Sequence, residues 1–104
     1  MDTVRDMLED SLQHTLEALD LYQKRIEELP KGSLSMKNIN GHIYCYLAYR
    51  EGKKVMNDYL GKLASEEVQV MKKKIDQRKR YQKAVKEMKK EIKFLRKALD
   101  IEVA

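Results

Sequence analysis

The chain has 104 residues, 22 Lys and Arg against 17 Asp and Glu, a formal net charge of +5 and a pI near 9.3. That length predicts one domain with a thin core, burying only about two-thirds of what the unfolded chain exposes, and a stability that leans on a partner or on self-association. A lone cysteine, Cys45, excludes an intramolecular disulfide framework. No apolar run approaches the ~20 residues of a membrane span, and the start lacks the flank and stretch of a signal peptide, so the expected compartment is the cytoplasm.

The net charge conceals a partition. Residues 1–29 carry −5, residues 30–62 carry +4, residues 63–71 carry −2, residues 72–97 carry +10 and residues 98–104 carry −2. Asymmetry of this size implies pairing within the chain, an acidic partner, or both.

Residues 3–29 read as an acidic amphipathic helix. Leu8, Leu12, Thr15, Leu19, Tyr22, Ile26 and Leu29 recur at alternating steps of four and three, a heptad seam with one weak position, Thr15. Asp2 or Thr3 is expected to cap its start, with Asp6 complementing the helix dipole. Pro30 stops it, because the residue before proline is pushed out of the α region.

Residues 33–61 change period. Asn40-Gly41 lies between β-prone runs, and a type I′ turn there needs positive φ at both positions. Glu51-Gly52 marks a second hairpin. Two-residue loops at both places predict a three-stranded antiparallel meander. Ile39 then faces His42, Met36 faces Cys45 and Leu34 faces Leu47, while Leu47 also faces Met56 and Ile43 faces Leu60. The aliphatic side carries Leu34, Met36, Ile43, Cys45, Leu47, Tyr49, Met56 and Leu60, as a half-buried sheet requires. The polar side carries Lys37, Ile39, His42, Tyr44, Tyr46, Arg50, Lys53, Val55 and Tyr59. A bulged second loop would instead turn Val55 and Tyr59 inward.

Residues 64–101 read as a basic helix of about 55 Å. Ser65 with Glu66 and Glu67 is a start signal. Val68, Met71 and Ile75 begin its seam, and Tyr81, Val85, Met88, Ile92, Leu95 and Leu99 continue it. The six-residue step from Ile75 to Tyr81 is a stammer, expected to overwind the helix locally. The predicted fold is α+β and mostly α, with the order α-βββ-α: two long helices in an antiparallel coiled-coil hairpin flanking the meander. The acidic helix is expected to offset about half of the basic one. The surplus length of the basic helix is expected to project or to seam a homodimer.

The catalytic inventory is thin. His14 and His42 lie on different elements, and a Cys on an aliphatic face is more often a small hydrophobe than a nucleophile. One Cys and two scattered His give no zinc spacing, and the four glycines punctuate turns rather than cradle a phosphate. The expectation is a non-enzyme with no catalytic residues, no metal and no cofactor. Two features invite a ligand. On the sheet, Tyr44, Tyr46 and Tyr59 share a face with Lys37, Arg50 and Lys53, an arrangement that stacks bases and meets phosphates. Cross-strand tyrosines also stabilise a small sheet with no ligand at all, and the two readings stand level. On the helix, the cations Lys72, Lys73, Arg78, Lys79, Arg80, Lys83, Lys86 and Lys90 belong to a stripe of thirteen between residues 72 and 97. Such a stripe attracts phosphate, and its bland counterpart is a solvated coiled-coil face.

Lys31-Gly32-Ser33-Leu34, Asn40-Gly41-His42-Ile43-Tyr44-Cys45-Tyr46-Leu47, Tyr49-Arg50-Glu51-Gly52-Lys53-Lys54-Val55 and Tyr59-Leu60-Gly61-Lys62 together resemble a short module of bacterial and mobile-element proteins of unknown function. The module is similar to three-stranded ones that begin some transposases and integrases. Cys45 stands where that pattern has a tyrosine. The resemblance implies a DNA-contacting role and no particular activity. The leading expectation is a nucleic-acid-associated module of phage or mobile-element type, with nucleic acid or a nucleic-acid-binding protein as partner. Its rival is an anti-CRISPR-like or antitoxin-like inhibitor that binds a nuclease or toxin through the charged coiled coil.

Overall fold

The order of elements is helix, three strands, helix. A computed structural model describes residues 3–103. Helix α1 runs Thr3–Glu28, strands β1, β2 and β3 run Ser33–Ile39, His42–Glu51 and Lys54–Lys62, and helix α2 runs Glu66–Val103. The strands form one antiparallel sheet in the order β1-β2-β3. Thr3 is already helical, and the Asp2 cap lies outside the described residues.

The described residues divide into two compact units, one of α1 with the part of α2 from Arg80 onward, the other of residues 29–79. In the first unit the two helices run antiparallel. Tyr22 and Tyr81 meet with ring centroids 5.1 Å apart, and Val85, Ile92 and Leu95 are buried. Thr15, the weak seam position, is buried too. Its hydroxyl donates to the Ser11 carbonyl at 2.9 Å, which satisfies the group without a partner from another helix. The three ion pairs Arg5–Glu9, Lys24–Asp20 and Lys90–Glu87 each run within one helix. Among the described residues no α2 cation pairs with an α1 acid, so the expected offset of the stripe does not take the form of ion pairs.

The second unit begins α2 at a formed cap. The Ser65 hydroxyl accepts the Val68 N–H at 3.3 Å, and Gln69 donates its side-chain amide to the Leu63 carbonyl at 2.9 Å. Val68 and Cys45 are fully buried and Ile75 nearly so. Gly61 pairs with Cys45, and a Cβ on Gly61 would lie 3.8 Å from a Val68 methyl. The first turns of α2 therefore cover the Cys45 side of the sheet. This corrects the expectation that the surplus of α2 projects: residues 66–79 bury their own stripe in the sheet unit. The stammer at Ile75–Tyr81 spans the boundary between the units, and there the stripe changes partner.

The first hairpin has the expected register, Ile39 opposite His42, Met36 opposite Cys45 and Leu34 opposite Leu47. Asn40 and Gly41 take φ of 53° and 83°, and the Asn38 side chain accepts the Gly41 N–H at 3.1 Å. The second hairpin differs. Glu51 pairs with Lys54, so the loop is Gly52-Lys53 rather than Glu51-Gly52. A loop at Glu51-Gly52 would need positive φ at Glu51, whereas Gly52-Lys53 puts the glycine first, at φ 64°, as a type II′ turn demands. The two-residue slip moves Asp58 opposite Leu47 and Met56 opposite Tyr49, and it keeps Val55 and Tyr59 on the polar side. A bulge between Cys45 and Tyr46 then leaves Leu60 unpaired instead of opposite Ile43. Met36 and Ile43, expected inward, are exposed. Met36 lies on the edge strand, and Ile43 lies two residues from Cys45 toward the Asn40-Gly41 tip.

Candidate functional site

Alternation along β2 puts Tyr44 and Tyr46 on the side of the sheet away from Cys45, and the slip of β3 brings Tyr59 directly opposite Tyr46. The Tyr46 and Tyr59 ring centroids are 5.5 Å apart at 60°, and those of Tyr44 and Tyr59 6.2 Å apart at 47°. Both pairs are tilted, the geometry that aromatic quadrupoles favour. From β1, Lys37 pairs with Tyr44 in register and holds its ammonium 5.0 Å above the Tyr46 ring centroid. Ile39, Tyr44, Tyr46 and Tyr59 line one shallow hollow. Tyr59 is 57% exposed. Tyr59 thus presents most of its ring to solvent, while Tyr44 and Tyr46 are half-buried beside it and Lys37 lies over one face of Tyr46.

Ile39 belongs to this hollow although sequence reasoning gave it no role. Its signal was present, since residues 33, 35, 37 and 39 of β1 share one face and Ile39 is an apolar residue at the end of a polar row. Arg50 shares the polar side and pairs with Val55, but it lies four residues along β2 from Tyr46, about 13 Å away. Lys53 is a turn residue, not a strand residue, because the loop is Gly52-Lys53. The structure therefore groups Lys37, Tyr44, Tyr46 and Tyr59 and leaves Arg50 and Lys53 at the other end of the sheet.

The helical cations fall in both units. Lys72, Lys73 and Lys79 are exposed in the sheet unit, and Arg80, Lys83, Lys86 and Lys90 are exposed in the helix pair. Arg78 departs from the solvated stripe expected for it. It is half-buried, and its Nε is removed from solvent without a hydrogen-bond partner. In the helix pair Lys89, Lys93 and Arg96 rim a groove floored by Leu16, Leu19 and Ile92.

The remaining chemistry is sparse. Cys45 is a buried free thiol, and among the described residues no group of three His, Cys, Asp or Glu is placed to hold a metal. No helix among them is long and apolar enough to cross a membrane. On the covered side of the sheet, the Tyr49 hydroxyl donates to the Asp58 carboxylate. That bond, then desolvation, then the charges of Asp58 and Glu51 raise the phenol above its ordinary value of 10.0. A raised folded value favours the neutral phenol, so this stabilisation is complete below pH 10 and is lost as pH climbs through the raised value. An alkaline absorbance titration is expected to include a phenol ionisation above pH 10.0 that Tyr49→Phe removes.

Residues 4–70 match the model of a family described as a domain of unknown function, DUF6788. The matched stretch takes in α1, all three strands and the start of α2. No curated protein and no solved structure matches the chain.

Proposed function

The chain belongs to the DUF6788 family, and we propose that it is a non-enzymatic, nucleic-acid-associated module of phage or mobile-element type, working in the cytoplasm without a cofactor. The observation that carries the reading is the tyrosine cluster on the side of the sheet opposite α2, with Lys37 beside it. Open aromatic faces stack on unpaired bases whatever their identity, so the expected ligand is single-stranded nucleic acid. Lys37 meets phosphates at the cluster, and Arg50 and Lys53 extend the contact along the sheet. The α2 cations, unpaired with α1, add backbone attraction without reading sequence. The middle segment's resemblance to the opening modules of some transposases and integrases points the same way.

Affinity for a single-stranded oligonucleotide is expected to fall linearly with the logarithm of salt, by about 0.7 per phosphate neutralised. Replacing Lys72, Lys73 and Lys79 by Gln is expected to weaken binding for every sequence and to flatten that slope by about two. No binding of any DNA or RNA at ~50 mM salt, where the electrostatic term is strong, would overturn the reading.

One observation favours a second reading. Asp6, Asp10, Glu17, Glu27 and Glu28 are exposed on α1, and no α2 cation among the described residues pairs with them. Such an acidic face can mimic phosphates toward a nuclease or toxin. Neutralising these acids would abolish inhibition under that reading, and would leave oligonucleotide affinity unchanged or raised under the first.

A further inference from the structure

The helix pair segregates its surface. Taking Ile92 and Leu99 as a positions and Leu95 as d, Arg80 falls at c, and every later cation of α2 occupies b, e or f: Lys86 and Lys93, Lys89 and Arg96, Lys83, Lys90 and Lys97. From residue 84 onward the c and g positions hold no cation. They carry Ala84, Glu87, Glu91, Phe94, Ala98 and Ile101. On α1 the same lettering gives Val4, Met7, Ser11, His14, Ala18 and Leu21 at g and c, followed by the charged Arg25 and Glu28 in its last turns. In an antiparallel pair the g flanks of both helices lie on one side, so these two rows form a single face. That face holds most of the large apolar side chains the pair leaves in water: Met7 is 64% exposed, Phe94 69% and Ile101 78%, with Val4 and Leu21 also exposed.

We propose that this face docks a second copy of the chain, giving a four-helix homodimer. Two features select a second copy over an unrelated partner. The first is self-complementarity. The Tyr22–Tyr81 contact fixes the level of the two helices. Counting equal rises from it puts Val4 and Met7 level with Ala98, Ile101 and Phe94, and His14 level with Glu87 and Glu91. A twofold axis parallel to the helices lays α1 of one copy over α2 of the other at the same level. Val4 and Met7 then meet Phe94, Ala98 and Ile101 of the other copy, and each His14 meets Glu87 and Glu91 of the other copy, twice by symmetry. The second is area. About 36 Å of paired helix, roughly 20 Å wide across both, offers about 700 Å² per partner, close to what a standard stable interface buries on each side. The small Ser11, Ala18, Ala84 and Ala98 let the helices approach. The tyrosine cluster is in the other unit, so this dimer and the nucleic-acid reading stand or fall separately.

Sedimentation equilibrium of the full chain tests it. The expected mass at ~100 μM, well above the micromolar dissociation constants of modest interfaces, is twice 12.3 kDa. Phe94→Glu changes a side chain that is mostly in water within one copy. It is expected to raise the dissociation constant at least about 100-fold while helical circular dichroism persists. The pair Glu87→Lys and Glu91→Lys is expected to weaken the dimer about tenfold, with recovery on adding His14→Glu. A wild-type mass of one chain at that concentration overturns the proposal. So does a Phe94→Glu variant that stays dimeric, or a dimer that Arg96→Glu, on the opposite flank, disrupts instead.

Discussion

Replacing Tyr46 and Tyr59 together by Ala is expected to weaken single-stranded oligonucleotide binding by about 10- to 100-fold, because each base–aromatic stack is worth about 1–3 kcal/mol. The two losses are expected to combine less than additively, since the rings are 5.5 Å apart and share one hollow. Tyr59 is mostly in water, and the structural cost is expected to be about 1–2 kcal/mol, chiefly the cross-strand pair and the half-buried Tyr46. The fold should survive. Phenylalanine at both positions keeps the stacking face and loses only the hydroxyl, so it is expected to retain most of the affinity. Tyr49→Phe, on the covered side of the sheet, is expected to leave affinity unchanged. Fluorescence anisotropy with a labelled oligonucleotide separates these outcomes. Equal losses for the alanine and phenylalanine pairs would mean that the hydroxyls act, not the rings.

The second large effect is on stability. Gly32 has φ of 108°, and a Cβ there would fall far inside van der Waals contact distance of the Ala48 carbonyl oxygen and against the Tyr49 Cβ. Both obstacles are held by the β1–β2 ladder, in which Ser33 pairs with Ala48. Neither can swing away as the tip of a long side chain could. Gly32→Ala is therefore expected to cost about 2–4 kcal/mol, from strained φ and displaced backbone together. Against a total stability of roughly 5–15 kcal/mol, that lowers the melting temperature by about 10–25 °C. Gly41→Ala supplies the comparison. Its φ is also positive, at 83°, but nothing lies within 4 Å of the added carbon. It is expected to cost only the conformational strain, about 1–2 kcal/mol. Thermal denaturation of the two variants distinguishes a close backbone approach from a conformational preference. The same substitution reaches the site, because loosening the start of β1 loosens Lys37 and Ile39 at its other end.

Much of the architecture is legible in the order of residues. The heptad steps of α1, the stop at Pro30, the Asn40-Gly41 turn and the Ser65 cap each rest on local chemistry, and each element begins or ends within a residue or two of its expected place. The side of the sheet each tyrosine occupies is equally legible, since alternation survives a slip of two. The exact pairing of β3 is not. Glu51-Gly52 and Gly52-Lys53 are both two-residue loops around the same glycine, and only the φ demanded of the first loop residue separates them. The bulge at Leu60 has no signature in β3 itself. It allows Gly61 to pair with Cys45 under Val68, a demand made by the helix that follows. Periodicity shows that Val68 and Ile75 are buried but not against what, and for that reason the surplus of α2 read as a projecting or dimer-forming end. The aromatic hollow was half visible. The tyrosines and Lys37 were apparent as a row, while Ile39 and the distance of Arg50 from the rings needed the paired strands. Segment charge located the cations, but it could not reveal that the α1 acids leave them unpaired.

The tyrosine side of the sheet is the surface expected to take a single strand. A two-dimensional amide NMR titration with a short single-stranded oligonucleotide tests this most directly. The largest shifts are expected at Lys37, Ile39, Tyr44, Tyr46 and Tyr59, with smaller ones along the exposed α2 lysines and little change at Cys45 or Val68. Saturable binding whose shifts spare those five residues, or the absence of any shift at low salt, would contradict it.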